Sequence, residues 1–317
     1  MYKGHSSASF ARAIVWSPDG QRIASTSYTT AIAYGNRRAT VKDDRVHVWS
    51  ATKGKLLFTY QGHTDDVSTL VWSPDGRRIA SGCTDKTVQV WDAEKPSWRG
   101  HNALRYDKHS SFVSAISWSP VGKHIASGGF DCELRVWDAT TGKTLFIHEN
   151  FSRIVAVAWS PDDKQVASAD QWRVDICNAA SGAKRTSLNA SSDHHILDMV
   201  WSPDGRYIAT AENTRNTEEF RGVVIWNVTS GKESLSYEGH LGPVQEVDWS
   251  SDGKYIASGS NDGTVKIWNV ATGGNIFTYS AHAFQGPVPV EAVAWSPDGS
   301  RIASSSWDGM VHVWQAI

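Results

Sequence analysis

The sequence predicts an all-β fold assembled from seven copies of one small unit, and three observations carry that expectation. A Trp followed by Ser recurs at Trp16, Trp72, Trp118, Trp159, Trp201, Trp249 and Trp295, in steps of 56, 46, 41, 42, 48 and 46 residues. Nine residues after each stands a Ser or Thr: Ser25, Ser81, Ser127, Ser168, Thr210, Ser258 and Ser304. A second Trp follows in six copies, at Trp49, Trp91, Trp137, Trp226, Trp268 and Trp314, with Cys177 in its place in the fourth. Thirteen of the chain's 16 Trp are therefore repeat markers.

The clearest copy spans residues 239–269, and its pattern justifies each element. Residues 244–250, 255–258 and 264–268 are rich in β-branched and aromatic side chains, which suit a pleated strand. Ser251-Asp252-Gly253 separates the first two runs and Asn261-Asp262-Gly263 the second pair. Both are tight-turn sequences, because Gly accepts the positive φ that such turns demand. One such unit cannot bury both of its faces alone. Seven in series can.

A period in the forties, with Gly-His before the unit and Trp-Asp after it, resembles the WD40 repeat, which folds as one four-stranded propeller blade. The resemblance covers the whole chain and implies a single domain, residues 1–317: a seven-bladed β-propeller with four-stranded antiparallel blades, strands a to d. The seventh unit stops at Ile317, before an outer strand. Residues 1–5 (MYKGH) align with 59–63 (TYQGH) and 236–240 (SYEGH), which end outer strands. The N-terminal strand is thus expected to close the last blade. It is a stub, as it would be in a piece of a longer chain or where the closing strand is simply short. The repeat style, VWSPDGRRIASG…DKTVQVWD, looks like the arrays of bacterial regulatory proteins, in which a propeller follows a kinase or nucleotide-dependent switch domain.

Composition narrows the function classes. A net charge of −2 gives no basic footprint, so nucleic acid is not the expected partner. Cys83, Cys132 and Cys177 form no CxxC and fall in different repeats, as in a reducing, cytoplasmic setting. No run is long and apolar enough to span a membrane as a helix, and the start of the chain does not read as a signal peptide. A monomer is expected of the isolated domain.

In WD40 propellers the d–a and b–c loops share one face, the top. Three of the four sizeable insertions fall there: 27–42, carrying Tyr34 and Arg37, then 211–221, then a stretch around 283–287. The fourth, within 93–102, belongs to a c–d loop on the bottom. Insertions gathered on one face of a repeat protein often mark its binding face.

Five repeats hold His, Ser and Asp at fixed spacing: His5/Ser25/Asp43, His63/Ser81/Asp85, His109/Ser127/Asp131, His240/Ser258/Asp262 and His282/Ser304/Asp308. A hydrolase uses these residue types to activate a nucleophile. A catalytic site has no reason to occur five times. The resemblance implies instead a structural tetrad, in which the third-strand Trp donates to Ser, Ser to His and His to Asp. The fourth and fifth repeats lack it and are expected to be the softest. Asp193-His194-His195 with Asp198 is read as a solvated loop, not a metal site, since adjacent His cannot share a strand face. No catalytic constellation, metal or cofactor is expected.

The resemblance also points to top-face positions beside strand a and just before the tetrad Asp. These include Phe10 and Arg12, Asp66, Phe112, Arg153, His195, Pro289 and Glu291, then Phe130 and Trp307. Aromatic residues and Arg dominate interface energies. The expectation is a non-catalytic scaffold or sensor that binds a protein or peptide on this rim. The alternative is a small ligand or glycan at the mouth of the central channel.

Overall fold

The computed structural model describes residues 9–29, 32–34, 37–39, 44–94, 103–190, 193–214, 222–283 and 288–317. Its strands form six four-stranded antiparallel blades and a seventh with three strands among the described residues. Blade 1 pairs Ser9–Trp16, Arg22–Thr29, Val46–Ser50 and Leu56–Tyr60 as strands a to d. Strand a of blades 2 to 7 runs Val67–Trp72, Val113–Trp118, Ile154–Trp159, His194–Trp201, Val244–Trp249 and Val290–Trp295. Residues 1–5, expected to supply the fourth strand of blade 7, lie outside the described residues.

The repeated IASG of strand b follows from packing. Strand b is buried along nearly its whole length, because neighbouring blades cover both of its faces. The next blade comes so close that only a small residue fits. A Cβ on Gly128 would lie 2.5 Å from Ile154 Cγ2, and one on Gly259 would lie 2.8 Å from Val290 Cγ1. Outer strands face solvent instead and alternate, as in Thr144–Glu149.

At Trp16, Trp72 and Trp201 the marker Trp that ends strand a ties blade to blade by its indole N–H. Trp72 Nε1 donates to Val15 O at 3.3 Å, while the Arg22 guanidinium lies 4.7 Å over the Trp72 ring. Blade 7 meets blade 1 in the same way: Trp16 Nε1 donates to Ala294 O at 3.1 Å, and Arg301 lies 4.8 Å over the Trp16 ring. The seventh blade therefore packs on the first, and the ring closes.

Two loop expectations are revised. Residues 194 and 195 belong to strand a of blade 5, with His194 opposite Thr214 and His195 opposite Asn213, so they are not a solvated loop. Strand b of that blade continues through the first residues of the 211–221 insertion, as Tyr207–Thr214. Extra length there became extra ladder. In the first insertion, Ile32–Tyr34 pairs with Arg37–Ala39 as a small separate hairpin.

Candidate functional site: the top rim and the central channel

The His/Ser/Asp sets form buried structural networks. In blade 3, His109 Nδ1 bonds Asp131 Oδ2 at 2.8 Å, His109 Nε2 bonds Ser127 Oγ at 2.8 Å, and Trp137 Nε1 donates to Ser127 Oγ at 3.1 Å. Blades 2 and 7 repeat all three bonds. Blade 6 keeps the two His bonds. Each of these four His side chains is 0% exposed, so no substrate reaches them. Tyr60, Tyr106, Tyr237 and Tyr279 of the outer strands stack on the tetrad Trp rings at 4.2–4.7 Å. In blade 1, Trp49 donates to Ser25, while His5 and Asp43 lie outside the described residues.

Replacing His240 by Ala leaves the buried Ser258 hydroxyl without its His partner and takes one bond from Asp262, which keeps those from Leu241 N and Thr264. The expected loss is about 2 kcal/mol, the scale of a buried polar group left unpaired. Urea denaturation measures it; a loss below about 0.5 kcal/mol would mean that the network is ornamental.

Blades 4 and 5 do not leave the tetrad positions empty. In blade 4, Asn150 takes the His position and accepts from Ser168 Oγ at 3.0 Å. In blade 5, Trp226 donates to Thr210 Oγ1 at 2.9 Å, and Thr210 in turn bonds the buried Glu212 at 2.8 Å. Blade 4 also holds the fully buried Asp175 among Lys184 Nζ at 2.8 Å, Ser187 Oγ at 2.7 Å, His148 Nε2 at 3.2 Å and Arg173 at 3.3 Å. Burial opposes ionisation of Asp175, but these partners hold it well below the usual carboxylate range. The hydrogen bond to Asp175, aided by Cys177, raises His148 to about 9.

Above the tetrads lies the top rim, and the structure gathers part of the expected set there. Phe112 and Phe130 are each 45% exposed, with ring centroids 5.8 Å apart, because Phe130 N donates to Phe112 O across the loop ends. The Arg153 guanidinium from blade 4 covers the Phe130 ring at 5.1 Å. Across the ring, the half-exposed Trp307 donates its indole N–H to the Glu291 carboxylate. Burial raises the Glu291 carboxyl, opposed by Trp307 and by nearby Arg12, which also lies 5.9 Å over the Tyr28 ring. His195 stands edge-on to Trp172 at 4.4 Å. The half-buried Asp66 uses its carbonyl to accept from Thr84 N at 3.0 Å. The side chains of Phe10, Tyr34 and Arg37 lie outside the described residues.

Two exposed residues escaped the sequence reading: Phe151 at 75% and Leu241 at 86%. Each directly follows the residue at the tetrad His position. In blade 6 the amide there turns in, Leu241 N donating to Asp262 Oδ2 at 2.9 Å, which points the side chain outward; in blade 4 the corresponding bond comes from the next residue, Ser152 N to Asp170 Oδ2 at 3.4 Å. That offset from the His was readable.

Below the rim is a channel cavity of about 300 Å³, lined by strand a of every blade. Its charge is lopsided. On one wall Ser68 donates to Val113 O and Ser114 to Ile154 O, each at 2.5 Å. On the other, carboxylates make the blade-to-blade link: Asp198 accepts from Val247 N at 3.0 Å and Glu246 from Val293 N at 2.8 Å, and Asp248, further along the Glu246 strand and not lining the cavity, accepts from Trp295 N at 2.7 Å. Burial, aided for Glu246 and Asp248 by neighbouring carboxylates, raises all three acids: Asp198 to about 6, Asp248 to about 7 and Glu246 well above its usual value. Asp198 thus faces the channel, apart from the His194/His195 pair with which the sequence reading grouped it. Among the described residues, the groups spaced to hold a metal are His63/Cys83/Asp85 and His282/Asp308/His312, each a tetrad His and Asp with one further residue.

Comparison with known proteins gives matches along the chain. The family described as "IFT122 first beta-propeller" matches residues 33–221. "WD domain, G-beta repeat" matches residues 1–50, 231–269 and 273–315. Human serine-threonine kinase receptor-associated protein is 26% identical over 73% of this chain and 62% of its own length. Protein HIRA of Zea mays is 35% identical over 24% of this chain and 8% of its own. Coronin-7 of Rattus norvegicus is 38% identical over 16% and 5%. The chain spans less than two thirds of the length of each of these relatives.

Proposed function

The chain belongs to the WD40-repeat β-propeller family, and on that premise we propose that it is a non-catalytic scaffold holding a protein or peptide partner on its top rim. WD40 propellers are generally interaction scaffolds. The observation that carries the reading is the exposed Phe112–Phe130–Arg153 cluster, with half-exposed Trp307 across the mouth. These are residue types that concentrate binding energy. A cytoplasmic monomer with neither nucleic-acid nor membrane partner belongs to the same proposal. Its three free cysteines and near-neutral charge are in keeping with it, and no helix among the described residues is long and apolar enough to cross a membrane.

The test is affinity capture from lysate of the source organism, comparing wild type with Phe112→Asp and with Trp307→Ala. Each change is expected to weaken capture of a specific protein by about 2 kcal/mol or more, roughly 30-fold. Capture unchanged in both variants refutes the rim. A second reading, a small ligand or glycan at the channel mouth, is favoured by the 300 Å³ cavity. It predicts sensitivity to Glu246→Gln instead.

A further inference from the structure

Three arginines lie near aromatic rings at the top rim, Arg12 at Tyr28, Arg153 at Phe130 and Arg173 at Phe151, and they differ in their charge partners: Arg173 pairs with Asp170 and Asp175. Arg12 sits near Glu291, whose carboxylate already receives the Trp307 indole. Arg153 is exposed and has no ion pair among the described residues. A guanidinium lying over a phenyl ring satisfies its flat face by cation–π attraction, while its N–H edge stays available. That edge is the part that forks onto a carboxylate. Beside it stand Phe130 and, packed on Phe130, Phe112, while the 75% exposed Phe151, two residues before Arg153, lies under the Arg173 guanidinium at 5.8 Å.

The nearby acids are committed elsewhere. Asp131 is held by His109 and by Ser110 N. Asp170 accepts from Ser152 N, Trp172 N and Arg173 N. The carboxylates on strand a of blades 5 and 6 each accept a backbone amide of the next blade, and Glu291 of blade 7 receives the Trp307 indole. The patch on blades 3 and 4 is therefore a cation beside two packed phenyl groups.

We propose that this patch docks a partner segment carrying an aspartate or glutamate next to a large apolar side chain. The carboxylate pairs with the Arg153 edge, and the apolar group covers Phe112 and Phe130. Phosphate is a poorer fit, since a dianion calls for more than one available cation, and among the described residues the neighbouring Arg173 is already paired with Asp170 and Asp175. The inference rests on the top-rim reading and names the chemistry of its partner.

The experiment selects random 12-residue displayed peptides on the wild-type protein and on Arg153→Glu, then maps enriched peptides by amide hydrogen exchange. Wild type is expected to enrich Asp or Glu at a fixed offset from a large apolar residue and to show protection at residues 112–114 and 130. Arg153→Glu, with unchanged Tm, is expected to bind those peptides at least tenfold more weakly and to select Lys or Arg at that position. Arg153→Lys should retain partial binding. Peptides that protect the same amides without an acidic preference, or that bind Arg153→Glu equally, overturn the inference and leave the rim reading standing. Protection elsewhere, or no enrichment over background, overturns both.

Discussion

Replacing Asp175 by alanine is expected to destabilise the protein by about 3 kcal/mol, the lower end of the range for breaking a buried ion pair. Asp175 is 0% exposed and bonds Lys184, Ser187, His148 and Arg173. Without it, three cationic groups converge on a space that holds no anion. They are 15% to 37% exposed and can turn toward water, which keeps the loss from being larger. Asp175→Asn keeps the shape but not the charge, so an intermediate loss is expected. Equilibrium urea denaturation of the three proteins decides the matter. A loss for Asp175→Ala under 1 kcal/mol would show that the cluster adds little, and that blade 4 is as soft as its missing tetrad suggests.

Stability is also expected to be greatest near pH 5 and to fall as pH rises toward 9. Carboxyl groups with raised folded-state pKa bind more protons folded than unfolded, so raising pH through that interval favours unfolding. For Asp198 and Asp248 the interval runs from near 4 to about 6 and about 7, with Glu246 shifted the same way. Arg12 and Glu291 line the channel cavity with Asp198 and Glu246. His148 extends the decline: its raised pKa of about 9 stabilises the fold below about 6.5, and that contribution is lost as pH climbs through 9. Asp85 and Asp262 act in the opposite sense. Burial opposes their ionisation, but the His63 and His240 bonds win and lower both pKa values, so their contribution disappears only as pH falls well below 4. At 1.4 kcal/mol per pKa unit, discounted for solvent in the channel, the net loss between pH 5 and 8 is on the order of 2–4 kcal/mol. Thermal melts at pH 5, 6, 7 and 8 measure it. The double variant Asp198→Asn/Glu246→Gln should flatten the profile. A wild-type Tm that is level or rises over this range would mean that the channel acids ionise freely.

The repeat markers were legible because each is bound to a local requirement. Trp118 ends strand a, Ser127 and His109 meet within one blade, and IASG stays small because the next blade touches it. Spacing therefore gave the number of repeats, and the resemblance it supports implied the tetrads and pointed to Phe112, Phe130, Arg153 and Trp307. It did not show that Arg12 would be matched by Glu291 while Arg153 has no ion pair among the described residues, since Glu291 stands in the last repeat, far from Arg12 along the chain. Nor did it show the channel acids. Strand a carries a register shift against strand b in every blade, such as that between Val244 and Glu246, which breaks simple alternation and hides which side chains face the axis. The cluster at Asp175 was hidden for a related reason: its four partners come from three strands of two blades, His148 reaching across from blade 3, and nothing in their spacing marks them as neighbours. The sequence by itself determined the unit, its count and its internal bonds. Which charges were paired, buried or left exposed was decided only when the blades closed into a ring, because the field at each side chain comes from neighbours distant along the chain.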